Sequence, residues 1–218
     1  NLIMGYSHTA SGTYSIITGY NNENYGGMSA IFGQSQINNG THSLLAGTNH
    51  INSGNYNTLL GSTNSASGTY SMIAGSSNIQ TGGTKSFMFS YNSTSSKDYS
   101  LTTGANQIND GDRSAVFNAS NENYASYGLT AGYNNINNSY VSAIFGRYGE
   151  NLLGSDPSNW VATNSLFSIG NGSSNVARSN ALTLLKSGNL GIGTSTPQSL
   201  LHVYGNVATP IIIERTNS

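Results

Sequence analysis

The chain has 218 residues, a formal net charge of −1 and no cysteine; only 7% of its residues are charged, and Gly, Asn, Ser and Thr make up just over half of it. Without a basic cluster, nucleic acid and anionic membrane are set aside as partners, and the lack of Cys removes disulfides, thiolate metal sites and cysteine nucleophiles. No run reaches the ~18 apolar residues that span a bilayer, so no membrane insertion is expected of this segment.

So polar a composition reads as disorder when its apolar residues are scattered. Here they are periodic. Ser15-Ile-Ile-Thr-Gly19 returns 14 residues later as Ser29-Ala-Ile-Phe-Gly33, then as Ser43-Leu-Leu-Ala-Gly47, Asn57–Gly61 and Ser71–Gly75. One extra residue enters around Gly83–Lys85, after which the pattern resumes at Ser86–Ser90 and continues to Ser142–Gly146. With Asn1–Gly5 this makes eleven units, and a period held so long specifies an all-β solenoid of stacked coils. The chain begins in mid-pattern, which leads us to expect a piece of a longer protein.

Each unit is numbered from position 1, the Ser of Ser-x-x-x-Gly. Position 5 is Gly in nine of eleven units, and a second Gly recurs at position 12, as in Gly12, Gly26 and Gly40. Two glycines seven residues apart suggest two short strands joined by tight corners, with Asn at positions 7 to 10 serving as corner residues. In the first strand, positions 2 and 4 share one face and position 3 takes the other. Position 3 is aliphatic or Met in nine units, while positions 2 and 4 exchange bulk: Ile16/Thr18, Ala30/Phe32, Leu44/Ala46, Thr58/Leu60. This interlocking pattern leads us to place positions 2 and 4 inside the coil, with Ile37, Ile51, Ile79, Ile108 and Ile136 of position 9. Position 3 then forms an exposed aliphatic stripe, and such a stripe implies a homo-oligomer packed side by side. On this reading Phe32, Phe117 and Phe145 are core residues and Asn121 is a dispensable corner. The extra residue is expected to bulge from the corner Gly82-Gly83-Thr84-Lys85, leaving Lys85 exposed and the Phe87–Phe89 strand in register.

These 14-residue units resemble the head repeats of YadA-like trimeric autotransporter adhesins, over roughly residues 1–147. The resemblance implies a left-handed parallel β-roll, a homotrimer, an extracellular or cell-surface location and a role in adhesion. Residues 148–164 read as a connector. From about 165 onward, Leu166-Phe-Ser-Ile-Gly170, Ala181–Lys186 and Gly188-Asn-Leu-Gly-Ile-Gly-Thr-Ser-Thr-Pro197 followed by Leu200–Gly205 resemble the β-rich shaft of phage tail fibres and related bacterial fibre proteins. A shaft segment over 165–218, and a virion tail fibre as an alternative location, follow from that second resemblance.

Catalytic constellations are not apparent. Gly191-Ile-Gly193 lacks the strand–helix context of a phosphate loop, and carboxylates are too few for a paired-carboxylate glycosidase. The histidines His8, His42, His50 and His202 read as surface residues, and Asp110 and Asp112 occur once rather than in every coil as in a calcium roll. No enzyme activity, metal or cofactor is expected. The functional excess is tyrosine, with 14 residues. Tyr6, Tyr20, Tyr91 and Tyr133 recur at position 6, and with Tyr148 and Trp160 they are the candidate ligand-binding residues, suited to a cell-surface glycan or protein receptor. Tyr14, Tyr56, Tyr70, Tyr99 and Tyr127 recur at position 14. The alternatives to an adhesive fibre are a structural spacer, a tail-fibre depolymerase and a flat ice-binding solenoid, the last lacking a regular Thr array.

Overall fold

A computed structural model describes residues 1–151 and 154–205. The fold is all-β, a parallel solenoid of 14-residue coils with no helix among the described residues. Each coil contributes one five-residue strand and, up to Ile136–Asn137, one two-residue strand. The long strands run from Leu2–Tyr6 to Ala143–Arg147 and the short ones from Thr9–Ala10 to Ile136–Asn137, forming a large and a small parallel sheet. Neighbouring coils stack position on position, Ile16 on Ala30, Ile17 on Ile31 and Gly19 on Gly33.

The interior differs from the sequence expectation in which face it takes. Ile17, Ile31, Leu45, Leu59, Ile73, Met88, Val116 and Ile144, all at position 3, are fully buried. Opposite them stand positions 8 and 10, the burial of which explains the Asn-rich repeat. Asn22 donates from Nδ2 to the carbonyls of Thr18 (3.0 Å) and Gly33 (2.9 Å) and accepts on Oδ1 from the Gln36 N–H (3.0 Å). Asn121 repeats this set with Phe117, Gly132 and Asn135. A two-residue strand flanked by corners cannot pair all its backbone groups, so each interior amide closes the ring on itself and on the next coil. Position 10 adds side-chain ladders, Asn38 to Asn24 at 2.8 Å and Asn52 to Asn38 at 2.7 Å. Where Thr102 and Thr130 replace an aliphatic residue at position 3, their hydroxyls bond to Asn109 and Asn123 of position 10.

Three expectations are thereby corrected. Positions 2 and 4 are outside: Phe32 and Phe145 are 40% and 36% exposed, and Phe117 is only partly buried. The position 9 isoleucines also lie outward, with Ile51 and Ile79 exposed. Asn121 is fully buried and is no free corner. A coil this thin holds one row from the long strand, and amides that must reach carbonyls claim the rest of the space.

The corners distribute their strain unexpectedly. Gly33 at position 5 has a φ of 128°, and a Cβ there would meet the Gly47 carbonyl of the next coil. Position 12 does not need a positive φ; Gly26 is required because a Cβ would strike the Gly40 carbonyl. Apart from Asn118 at position 5, the left-handed non-glycine residues are at positions 7 and 14, including Tyr56 (58°) and Tyr70 (56°). From Asn21 onward the N–H at these two positions is bonded to the preceding coil, as in Tyr56 N to the Thr41 carbonyl at 2.8 Å, which offsets a cost of about 1–2 kcal/mol.

The extra residue lies where the sequence places it. Met72 pairs with Phe87 and Ile79 with Thr94 in unbroken register. Gly83 takes a φ of 79°, and Lys85 is exposed at position 14.

Beyond Arg147 the large sheet continues. Ser165–Asn171 pairs in parallel with Ala143–Arg147, Asn180–Leu185 and Leu190–Ile192 follow antiparallel, and Leu201–Val203 returns parallel to the latter. Arg178 ties this segment to the coils, donating to the carbonyls of Asn134 (2.6 Å) and Gly149 (3.1 Å). The apolar run Ile211–Ile213 lies outside the described residues.

Candidate functional site

Three surfaces carry chemistry: the outer face of the large sheet, the position 14 corner and the clasp around Trp160.

The outer face bears positions 2 and 4. Ile16, Phe32, Leu44, Phe87, Phe89 and Phe145 are all exposed on it, so an apolar band runs the length of the solenoid. In the position 2 row the small Ala30 lies between Ile16 and Leu44, and above it is an open groove of about 440 Å³. Its floor is Ile16, Ala30 and Leu44, and its wall is Tyr14, Met28 and His42 from position 14.

At the position 14 corner, side chains one coil apart stack. His42 and Tyr56, then Tyr56 and Tyr70, lie 4.6 Å apart with nearly parallel rings. The column continues by cation–π contacts: Lys85 and Arg113 each sit 5.1 Å from the Tyr99 ring, and Arg113 is 5.6 Å from Tyr127. Arg113 is also ion-paired with Asp112. Tyr56 is thus stacked between His42 and Tyr70, and Tyr99 has Lys85 and Arg113 beside its ring, whereas Tyr14 is 82% exposed.

The expected binding residues do not form one site. Tyr6, Tyr20, Tyr91 and Tyr133 are exposed along position 6. Tyr6 stacks on Tyr20 at 5.8 Å, and Tyr133 meets Tyr148 edge-on at 5.5 Å, but Tyr91 stands apart from both pairs. Tyr148 also lies beside Arg147 and Arg178, and burial first, then its contact with Tyr133, pushes its phenol upward. Trp160 belongs to a different cluster. Lys186 Nζ lies 5.1 Å from its ring and 5.9 Å from that of Tyr140, and burial lowers the ammonium while the Asp156 charge opposes the shift.

The histidines divide in a way the sequence reading missed. His50 is fully buried at position 8, standing in for the usual amide. Its Nδ1 accepts from the Asn64 N–H (3.2 Å), so Nε2 carries the proton and donates to the Ala46 carbonyl (3.2 Å). Burial lowers its pKa. The signal was present in the sequence, since position 8 from His8 to Asn135 holds only His, Asn, Gln or Ser. Among the described residues no three His, Asp or Glu converge as a metal set, and no helix is long and apolar enough to cross a membrane. Asp110 accepts from Ser96 Oγ at 2.7 Å.

No protein-family model matches the chain, and no curated protein is significantly similar to it.

Proposed function

We propose that this chain is a segment of an extracellular, non-catalytic fibre in which three copies associate side by side through the outer face of the large sheet. Surface glycans or proteins would then be recognised by sites repeated through that symmetry, individually weak contacts adding as avidity. The observation that carries the reading is the apolar band itself: Phe32, Leu44, Phe87 and Phe89 remain exposed while the coil interior is filled by other residues. A band spanning this many coils exceeds the isolated apolar patches of a monomeric surface. Left-handed coiling and a location on a cell surface or virion belong to the same proposal and rest on the resemblance of the repeats.

A second reading, a structural spacer, is favoured by the stacked corner. Because Tyr56 is stacked between His42 and Tyr70, it offers a sugar ring only its edge. Light scattering on the chain checks the association: the expected mass is three times 22.8 kDa. A glycan and whole-cell binding screen separates adhesion from spacing, and retention on no surface would leave the spacer.

A further inference from the structure

The clasp around Trp160 holds a cation in surroundings that do not suit its chemistry. Lys186 Nζ lies 5.1 Å from the Trp160 ring and 5.9 Å from the Tyr140 ring, and it is buried with no hydrogen-bond partner among the described residues. An ammonium is a strongly hydrated group whose N–H donors lose their water here and gain no acceptor. Asp156 reaches it through charge alone, since the ion pair found among the described residues is Arg113 with Asp112. The Asp156 oxygens are turned to their own loop. Oδ1 accepts from the N–H groups of Ser158 (2.8 Å) and Asn159 (2.9 Å), and Oδ2 accepts from Asn159 Nδ2 (3.0 Å). Burial lowers the Lys186 ammonium, which marks it as a poorly accommodated occupant.

The walls of the clasp do not depend on that occupant. The Tyr140 N–H donates to the Asp156 carbonyl (2.9 Å) and the Ser126 N–H to the Pro157 carbonyl (2.9 Å), so backbone bonds fix the loop that carries Trp160 to the last coils. The Tyr140 ring is braced edge-on by Tyr127 at 5.7 Å. Lys186 is held through its backbone, its N–H donating to the Asn164 carbonyl at 2.9 Å, which leaves its long stem free to turn outward. Trp160 is 55% exposed, so the clasp opens to solvent.

Two aromatic rings and a nearby negative charge attract a cation, while the absence of a hydrogen-bond acceptor at Nζ offers an N–H nothing. The cation that meets both conditions carries methyl groups in place of N–H donors. We infer that the clasp of Trp160 and Tyr140 is a binding site for a trimethylammonium group of the choline type, and that the Lys186 ammonium is its resident competitor. The inference stands on the clasp alone and goes beyond the fibre reading, since the site is complete within one copy. Asp156 selects further: a betaine has the same head but carries a carboxylate, which that charge repels.

Trp160 is the sole tryptophan, so its fluorescence reports the site directly. The full chain is titrated with choline chloride, with sodium chloride at equal ionic strength as the blank. We expect saturable quenching, with choline bound about tenfold more tightly than 3,3-dimethylbutan-1-ol, a neutral molecule of the same shape. Lys186→Met keeps an apolar stem and removes the competing charge, and it should tighten choline about tenfold. Betaine should bind more weakly than choline to both chains. The contrast between choline and the neutral alcohol is measured on the parent and stands even where Lys186→Met fails to fold. Equal binding of the alcohol overturns the cation site, and equal binding of betaine overturns the part given to Asp156. Unchanged choline affinity in folded Lys186→Met overturns the competitor. No saturation by choline in either chain overturns the whole inference.

Discussion

Ile31 and Phe32 are adjacent on one strand, both apolar, yet Ile31 is fully buried and Phe32 is 40% exposed. The two faces of the long strand therefore do different work. One is closed by the chain's own short strand and its amides; the other is partly exposed to solvent. The stability of the single chain should come mainly from the first face, and under the association proposed above a change on the second should cost more when copies meet.

The largest expected effect comes from the interior. Ile31→Ala should cost about 2–5 kcal/mol by leaving a cavity that the stacked coils cannot collapse. Ile16→Ala, on the outer face, should cost under about 1 kcal/mol in the dissociated chain, where the residue is already 41% exposed. Urea unfolding of both variants at nanomolar concentration measures the difference, and equal losses would falsify the assignment of faces.

Next is the pair Asn121 and Phe117. Removing the Asn121 side chain strands the Asn135 N–H and the carbonyls of Phe117 and Gly132 in the interior. With about 1–3 kcal/mol for an unmet buried group, we expect a loss of about 3 kcal/mol for Asn121→Ala. Phe117→Ala should lower stability little in the dissociated chain and markedly more when copies are associated. The check is a concentration series: the unfolding midpoint of the parent should rise with protein concentration and that of the Phe117 variant should rise less. Were Asn121→Ala as stable as the parent, the amide row would not be holding the coils together.

The smallest effect is a pH dependence. His50 is held neutral by burial, so its folded pKa lies below the ordinary value near 6.5. The unfolded chain binds that proton more readily. Its contribution to stability is therefore complete above about pH 6.5 and is lost as pH falls toward the depressed folded pKa. His50→Asn supplies the amide found elsewhere in the row and should flatten the melting temperature between pH 7.5 and 5 relative to the parent. An unchanged slope would show that His50 does not titrate with folding.

Much of this architecture was legible before any coordinates. The Ser-x-x-x-Gly spacing specified the long strands from Ile16–Tyr20 to Ala143–Arg147, the position of the extra residue and the exposure of Lys85. The candidate site was less legible. Tyr6 and Tyr20, or Tyr133 and Tyr148, come together because they lie one coil apart at a corner, but Trp160 is drawn to Lys186 by a loop whose path has no periodicity.

What the sequence determined by itself was the repeat: its 14-residue period, its two glycine rows and the register in which the coils stack, because a period constrains every unit at once. It also carried the amide row at position 8 in plain view. Which face of the strand turned inward was decided only by the tertiary structure. Side-chain alternation makes positions 2 and 4 differ from position 3 but does not say which is inside. That choice fell to the short strand, whose buried Asn, Gln and His side chains had to reach the carbonyls of the long one, and this is possible only when position 3 fills the space between them.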